Sequence, residues 1–140
     1  MAADTGFRLI PHTADLALGA WAPGRSGCIA QAVRALVASF ADVDALRAGD
    51  PFTYGVEPGP DEEVLLQALE EVIYLLDVRG AVPIEVVARD RQDGGLQVDG
   101  SLAPISDEDV TGALPKAVSR HELRIAPAER GWRCHVVVDV

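Results

Sequence analysis

Asp15 stands in the stretch PHTADLALGAWA, residues 11–22, just ahead of an alternating apolar run, Leu16, Leu18 and Ala20. A carboxylate at that place has two uses. It can close a turn by an Asx-type bond to its own backbone, the commoner role for this residue type. It can also donate oxygen to a hard divalent cation, which needs several such donors. A second anionic pair sits at the other end, where the apolar run VVVDV puts the Asp139 side chain next to the terminal carboxylate of Val140. Most termini fray into solvent. A strand running to the last residue would instead hold those oxygens in place. Asp15 and Asp139 are 124 positions apart, so they meet only if the second strand and the last are neighbours.

Other polar residues offer less. His12 reads first as a hydrogen-bonded turn histidine and only second as a catalytic base. His121 and His135 read as strand residues, Lys116 as a solvated charge at a strand start, and Trp21 and Trp132 as core or edge residues. The chain has no phosphate loop, dinucleotide fingerprint, nucleophile elbow or zinc-type Cys/His spacing. A small metal-dependent hydrolase with His12 as base and Asp15 on the metal is conceivable, but one histidine and scattered carboxylates make a thin active site. The expectation is therefore a protein that is not itself an enzyme.

Lys plus Arg number 12 and Asp plus Glu 22, a net charge of −10. Such a field repels phosphate backbones, so direct nucleic-acid binding is expected to be weak or absent. The charge is uneven. Lys116, Arg120, Arg124, Arg130 and Arg133 face only Glu122 and Glu129 between positions 116 and 133, an end able to meet an acidic partner. Cys28 and Cys134 are read as two buried thiols, not a disulfide framework. No apolar run approaches the ~20 residues of a membrane span, and MAADTG lacks the parts of a signal peptide. A cytoplasmic protein with no membrane attachment is expected.

The 140 residues suit one domain, 1–140, with a core of Val, Leu, Ala and Ile, since aromatics are only 5%. Strands are expected at Phe7–Ile10, Leu16–Ala22 and Phe52–Glu57. Ser26 is a candidate cap for a helix whose apolar stripe is Ile29, Val33, Leu36, Val37 and Phe40, fraying between Asp42 and Gly49. A second helix is expected from Asp61 to Val78, with Asp61, Glu62 and Glu63 in its first turn and Gly80 as its stop. Asp93-Gly94-Gly95 marks a hairpin between Ile84–Arg89 and Leu96–Asp99. Residues 101–114 have no clear assignment. Lys116–Arg120, Glu122–Ile125 and Trp132–Val140 read as strands. The order predicts an α+β domain, an antiparallel or mixed sheet with two packed helices.

HTADLAL near the start, DEEVLLQALEEVIYLL, PKAVSRHELRI and the final GWRCHVVVDV together resemble the archease family along nearly the whole chain. The resemblance implies an accessory protein of an RtcB-type RNA ligase in tRNA splicing and RNA repair. Such a protein promotes guanylylation of the ligase and its multiple turnover. It implies a divalent-metal site, Ca2+ foremost with Mg2+ or Mn2+ as alternatives, on Asp15, Asp139 and Val140, with His12 and Lys116 in support. The family's further Asp, in a GxPFDxxxH-like segment, has no clean counterpart in GSLAPISDEDVTGAL, where Asp107 and Asp109 are near, and Pro115 replaces the usual aliphatic before Lys116. The competing reading is a metal-independent, acidic, chaperone-like module that binds a protein partner.

Overall fold

In the computed structural model the described residues are 4–10 and 15–140. They form β1 (Gly6–Ile10), β2 (Leu16–Ala22), α1 (Arg25–Ala38), β3 (Pro51–Val56), α2 (Asp61–Arg79), β4 (Ala81–Asp90), β5 (Leu96–Pro104), β6 (Ala117–Ala128) and β7 (Gly131–Asp139). The α+β expectation holds, with the strands divided between two antiparallel sheets, ordered β1-β2-β7-β6 and β3-β5-β4. Short 3-10 turns occupy Val43–Ala45 and Asp107–Asp109.

Helix α1 lies between the sheets, touching β1, β2 and β7 on one side and β4 on the other. That position explains why Cys28, Ile29, Ala30, Gln31, Ala32, Val33, Ala35, Leu36 and Val37 are all buried; a helix apolar on most sides is an enclosed one. The helix begins one residue before Ser26, and no side chain caps it. Gly24 is extended at the N-cap, and its carbonyl receives the Cys28 N–H at 3.0 Å, so Ser26 lies inside the first turn. Cys28 and Cys134 are free and buried, as expected. The Cys28 thiol donates to the Ala20 carbonyl at 3.6 Å, and the neighbouring Cys28 together with burial pushes the Cys134 thiol up from its ordinary value.

Helix α2 follows its expectation to within a residue because both ends carry strong signals. Gly80 takes φ +59°, and its N–H reaches the Leu76 carbonyl at 3.1 Å, the left-handed stop that glycine adopts without a Cβ penalty. The acidic first turn does more than meet the helix dipole. Asp61 accepts from Arg25 at 3.0 Å, Glu62 accepts the Ile125 N–H at 3.3 Å, and Glu63 pairs with Arg120. These contacts fasten α2 to α1 and β6.

Arg25 also bonds Asp90 at 2.9 Å and the Gly94 carbonyl at 3.0 Å. Its side chain is only 13% exposed. Arg25→Ala is expected to cost about 2 kcal/mol, since it strands two carboxylates from a charge-assisted donor; chemical denaturation measures it. The Arg120 guanidinium holds the Glu63 carboxyl below its ordinary value. A depressed carboxyl contributes its stability above its unfolded pKa and loses it as pH falls through the folded one. Melting temperature between pH 5 and pH 3 should therefore fall more in the wild type than in Glu63→Gln, by a small amount because the pair is open to solvent.

Two stretches depart from the expected pattern. Segment 101–114 continues β5 to Pro104 and then turns at Asp107–Asp109, where Ser106 and Asp109 cap one another. The strands expected at Lys116–Arg120 and Glu122–Ile125 are one strand, β6, which begins at Ala117 and is interrupted by a bulge. The register passes from Ser119↔Val137 to Arg124↔His135, five residues on β6 against two on β7. Glu122 has φ +60° there, and the His121 N–H turns back to the Ser119 hydroxyl at 3.0 Å. The extra residues bend the strand so that Arg120 meets α2.

Candidate functional site

The first sheet answers the question of distance. β2 and β7 are antiparallel neighbours with Leu16 opposite Val138, so Asp15, one residue before β2, and Asp139, the last of β7, stand at adjacent strand ends. β6 flanks β7 on its other side with Ala117 opposite Asp139, and the Lys116 N–H donates to the Asp139 carbonyl at 2.7 Å. Asp15, Lys116, Asp139 and Val140 thus gather at one end of one sheet.

Strand alternation places Asp139 on the face away from the helices and Val138 on the core face. Val138 is fully buried, and Val140 packs against the same core cluster. These two valines hold the strand end down while Asp139 and Lys116 are exposed and Asp15 is half-buried. His12, with Pro11, Thr13 and Ala14, lies outside the described residues.

The donors are of the right chemical kind for a hard cation. Carboxylate and main-chain oxygens are the donors that Ca2+ or Mg2+ takes. Among the described residues, no three His, Cys, Asp or Glu side chains form a metal-holding group. Asp15 and Asp139 contribute two carboxylate side chains at that sheet end. Asp109 is occupied in its own turn, where it caps Ser106 at 2.9 Å.

A cavity of about 640 Å³ between the end of α1, the turn at Val43–Ala45 and β4 involves none of these residues. Phe7, Arg34, Val37, Ile84 and Glu85 line it. The residues singled out from the sequence lie elsewhere, at an exposed sheet end.

Sequence reasoning missed the Lys116 main chain as the restraint on Asp139. It also missed a cationic row across the first sheet, since Arg8 pairs with Gly19, Gly19 with His135 and His135 with Arg124. No local signal announces either one, because both arise from strand pairing.

The comparisons agree with this architecture. The sequence pattern of the Archease protein family (MTH1598/TM1083) matches residues 7–140. A Mycobacterium tuberculosis relative named "Probable protein archease" is 45% identical over 136 residues, 97% of this chain and 75% of its own. "Protein archease" of Archaeoglobus fulgidus is 28% identical over 137 residues, covering 96% and 98%. Among solved structures, the solution structure of Methanobacterium thermoautotrophicum protein 1598 superposes with a TM-score of 0.76 at 19% identity, covering 96% of this chain and 99% of that one. The crystal structure of an archease and possible chaperone from Thermotoga maritima gives 0.68 at 17%, covering 94% of each. At those identities the structures speak for the fold alone.

Proposed function

The chain belongs to the archease family, and from that premise we propose that it is an accessory protein of an RtcB-type RNA ligase, acting in the cytoplasm as one domain over 1–140. It promotes guanylylation of the ligase and its repeated turnover in tRNA splicing and RNA repair. The observation that carries this reading is the gathering of Asp15, Asp139 and Val140 beside Lys116 at one sheet end. The motifs of the resemblance point to these same residues.

In this reading Asp15, Asp139 and the Val140 main-chain oxygen hold a divalent cation, Ca2+ foremost. A cation bound there would neutralise phosphate charge, as metals do in phosphoryl transfer. The protein's own part is positioning. Lys116 fixes the Asp139 backbone through its N–H, and its exposed side chain is free to pair with a phosphate or a ligase carboxylate. Val138 and Val140 keep the strand end ordered. Among the described residues no helix is long and apolar enough to cross a membrane, in keeping with a partner in solution.

The metal-independent chaperone-like module is the second reading. The absence of a third acidic metal ligand among the described residues favours it. Guanylate incorporation into the host's ligase from labelled GTP separates the two. The accessory reading predicts faster incorporation with this protein and no gain with Asp15→Ala. An equal gain with both would favour the module, and no gain with the wild type would contradict both as ligase functions.

A further inference from the structure

A cleft opens between one edge of each sheet. β1 is an edge strand of the first sheet and β4 of the second, and the last turn of α1 lines the space between them. The cavity of about 640 Å³ lies there. Its apolar wall comes from Phe7 on β1, Val37 and Ala38 on α1, Ala41 just beyond, and Pro83 and Ile84 on β4. Clefts of roughly 300–1,000 Å³ with a mostly apolar lining and a few polar groups are the usual form of a binding site.

Apolar surface continues along β1. Phe7 and Leu9 stand opposite Ala20 and Leu18, which belong to the core, so both face inward. Phe7 is half-buried, yet Leu9, about 7 Å further along the strand, is 42% exposed. The chain itself does not cover this core-facing leucine. Exposed apolar surface beside a pocket marks a contact site.

Charge at the mouth selects the occupant. The charged residues of the lining are Arg34, Asp42, Asp44 and Glu85, all exposed. The Arg34 guanidinium bonds the Val86 carbonyl at 2.7 Å, and Asp42 accepts the Asp44 N–H at 3.2 Å. None of the three carboxylates has an ion-pair partner among the described residues. Three carboxylates against one guanidinium disfavour a nucleotide or another anion and favour an ammonium or guanidinium group. Glu85 also occupies an unusual backbone. β4 takes three steps from Ile84 to Val87 where β5 takes two, from Ser101 to Asp99. Within that bulge Glu85 has φ +55°, a conformation rare for a residue with a Cβ. Bulges re-aim side chains, and such strained residues cluster where ligands bind.

We propose that this cleft receives an apolar side chain from a basic segment of a partner protein. The side chain enters among Phe7, Ala38 and Ile84, and a neighbouring lysine or arginine meets Asp42, Asp44 and Glu85. An apolar anchor in a pocket, ringed by polar contacts, is how protein interfaces concentrate their affinity. The uncovered Leu9 favours a protein segment, which can lie over it, above a small molecule confined to the cavity.

Fluorescence anisotropy of a labelled hexapeptide, a leucine-phenylalanine pair between two lysines with serine at each end, titrated with the full chain, tests this. Saturable binding is expected. It should vanish when serines replace the apolar pair, and weaken about tenfold when glutamates replace the lysines. Ala38→Leu, at a half-buried position whose larger side chain fills part of the cavity, should abolish binding and leave melting unchanged or raised. Glu85→Gly removes the carboxylate and the Cβ at positive φ together. It should weaken binding about fivefold while the melting temperature holds or rises, a split that a merely structural glutamate would not give. The cavity shares no residue with the sheet end of Asp15 and Asp139, so Asp15→Ala should bind the peptide like the wild type, even where it fails with the ligase. The proposal is overturned if the peptide does not bind, if binding survives Ala38→Leu or Glu85→Gly, or if it is lost in Asp15→Ala. Equal binding of the serine-centred peptide would reduce the effect to general charge attraction and overturn it too. So would full competition by 2-phenylethylammonium at the peptide's own concentration, which would assign the cavity to a small amine.

Discussion

Asp139→Ala is expected to fold normally and to lose about tenfold or more of the stimulation that the wild type gives a ligase. Tenfold corresponds to about 1.4 kcal/mol of lost interaction, a modest demand on a residue that supplies one of two carboxylate side chains at the site. The fold is insulated from the change. Asp139 is exposed at the end of β7, and its backbone carbonyl, which Lys116 uses, is retained. Surface substitutions of that kind stay within about ±0.5 kcal/mol. Asp15→Ala should behave alike, because it removes the other carboxylate from the adjacent strand end. A melting series with Ca2+ checks the same point without a ligase. Saturation near 100 times Kd raises wild-type stability by about 2.7 kcal/mol, and each variant should lose that gain. A wild type whose melting ignores divalent cations would shift the weight to the metal-independent module.

Phe40→Ala should be the most damaging single truncation in the core. Phe40 has no exposed surface and leads the fully buried side chains in volume. It sits just after α1, where its carbonyl accepts the Thr111 N–H at 2.8 Å and so ties the helix end to the segment before Lys116. Removing a buried phenyl ring costs about 3–5 kcal/mol, part transfer and part cavity. Whole domains have only ~5–15 kcal/mol in hand, so the variant should melt roughly 10–20 °C lower. Val78→Ala makes the control. Val78 is 63% exposed near the end of α2, and its truncation should leave melting almost unmoved. Equal effects at the two positions would mean that the core is not packed as described.

Much of this fold is legible in the residues where local signals are strong and unopposed. β2 runs Leu16–Ala22 as its alternation predicts, and α2 is framed by its acidic first turn and Gly80. What escapes reading depends on pairing. The split into two sheets follows from β3 and β4 both choosing β5, and nothing within those strands announces it. The bulges at Glu85 and Glu122 put a non-glycine residue at positive φ, a conformation that tertiary contacts impose against local preference. Ser26 misleads because an N-cap type one residue inside a helix looks the same in sequence as a cap.

The candidate site divides along the same line. The residue types were visible: carboxylates at Asp15 and Asp139, a lysine at 116. Their meeting was legible only as a condition on strand order and through the family resemblance, because it rests on β2–β7 and β6–β7 pairing across most of the chain. The row of Arg8, Gly19, His135 and Arg124 is the extreme case. Arg8, Arg124 and Arg133 come from three different strands and become one surface only through the register, while a net charge of −10 averages them away.

The most direct test is the number of RNA ends sealed per molecule of the host's RtcB-type ligase under excess substrate, with and without this protein. The account predicts that the ligase alone stalls after few turnovers and that the wild-type chain restores many, in proportion to its concentration. An unchanged turnover number with the wild-type chain would contradict it.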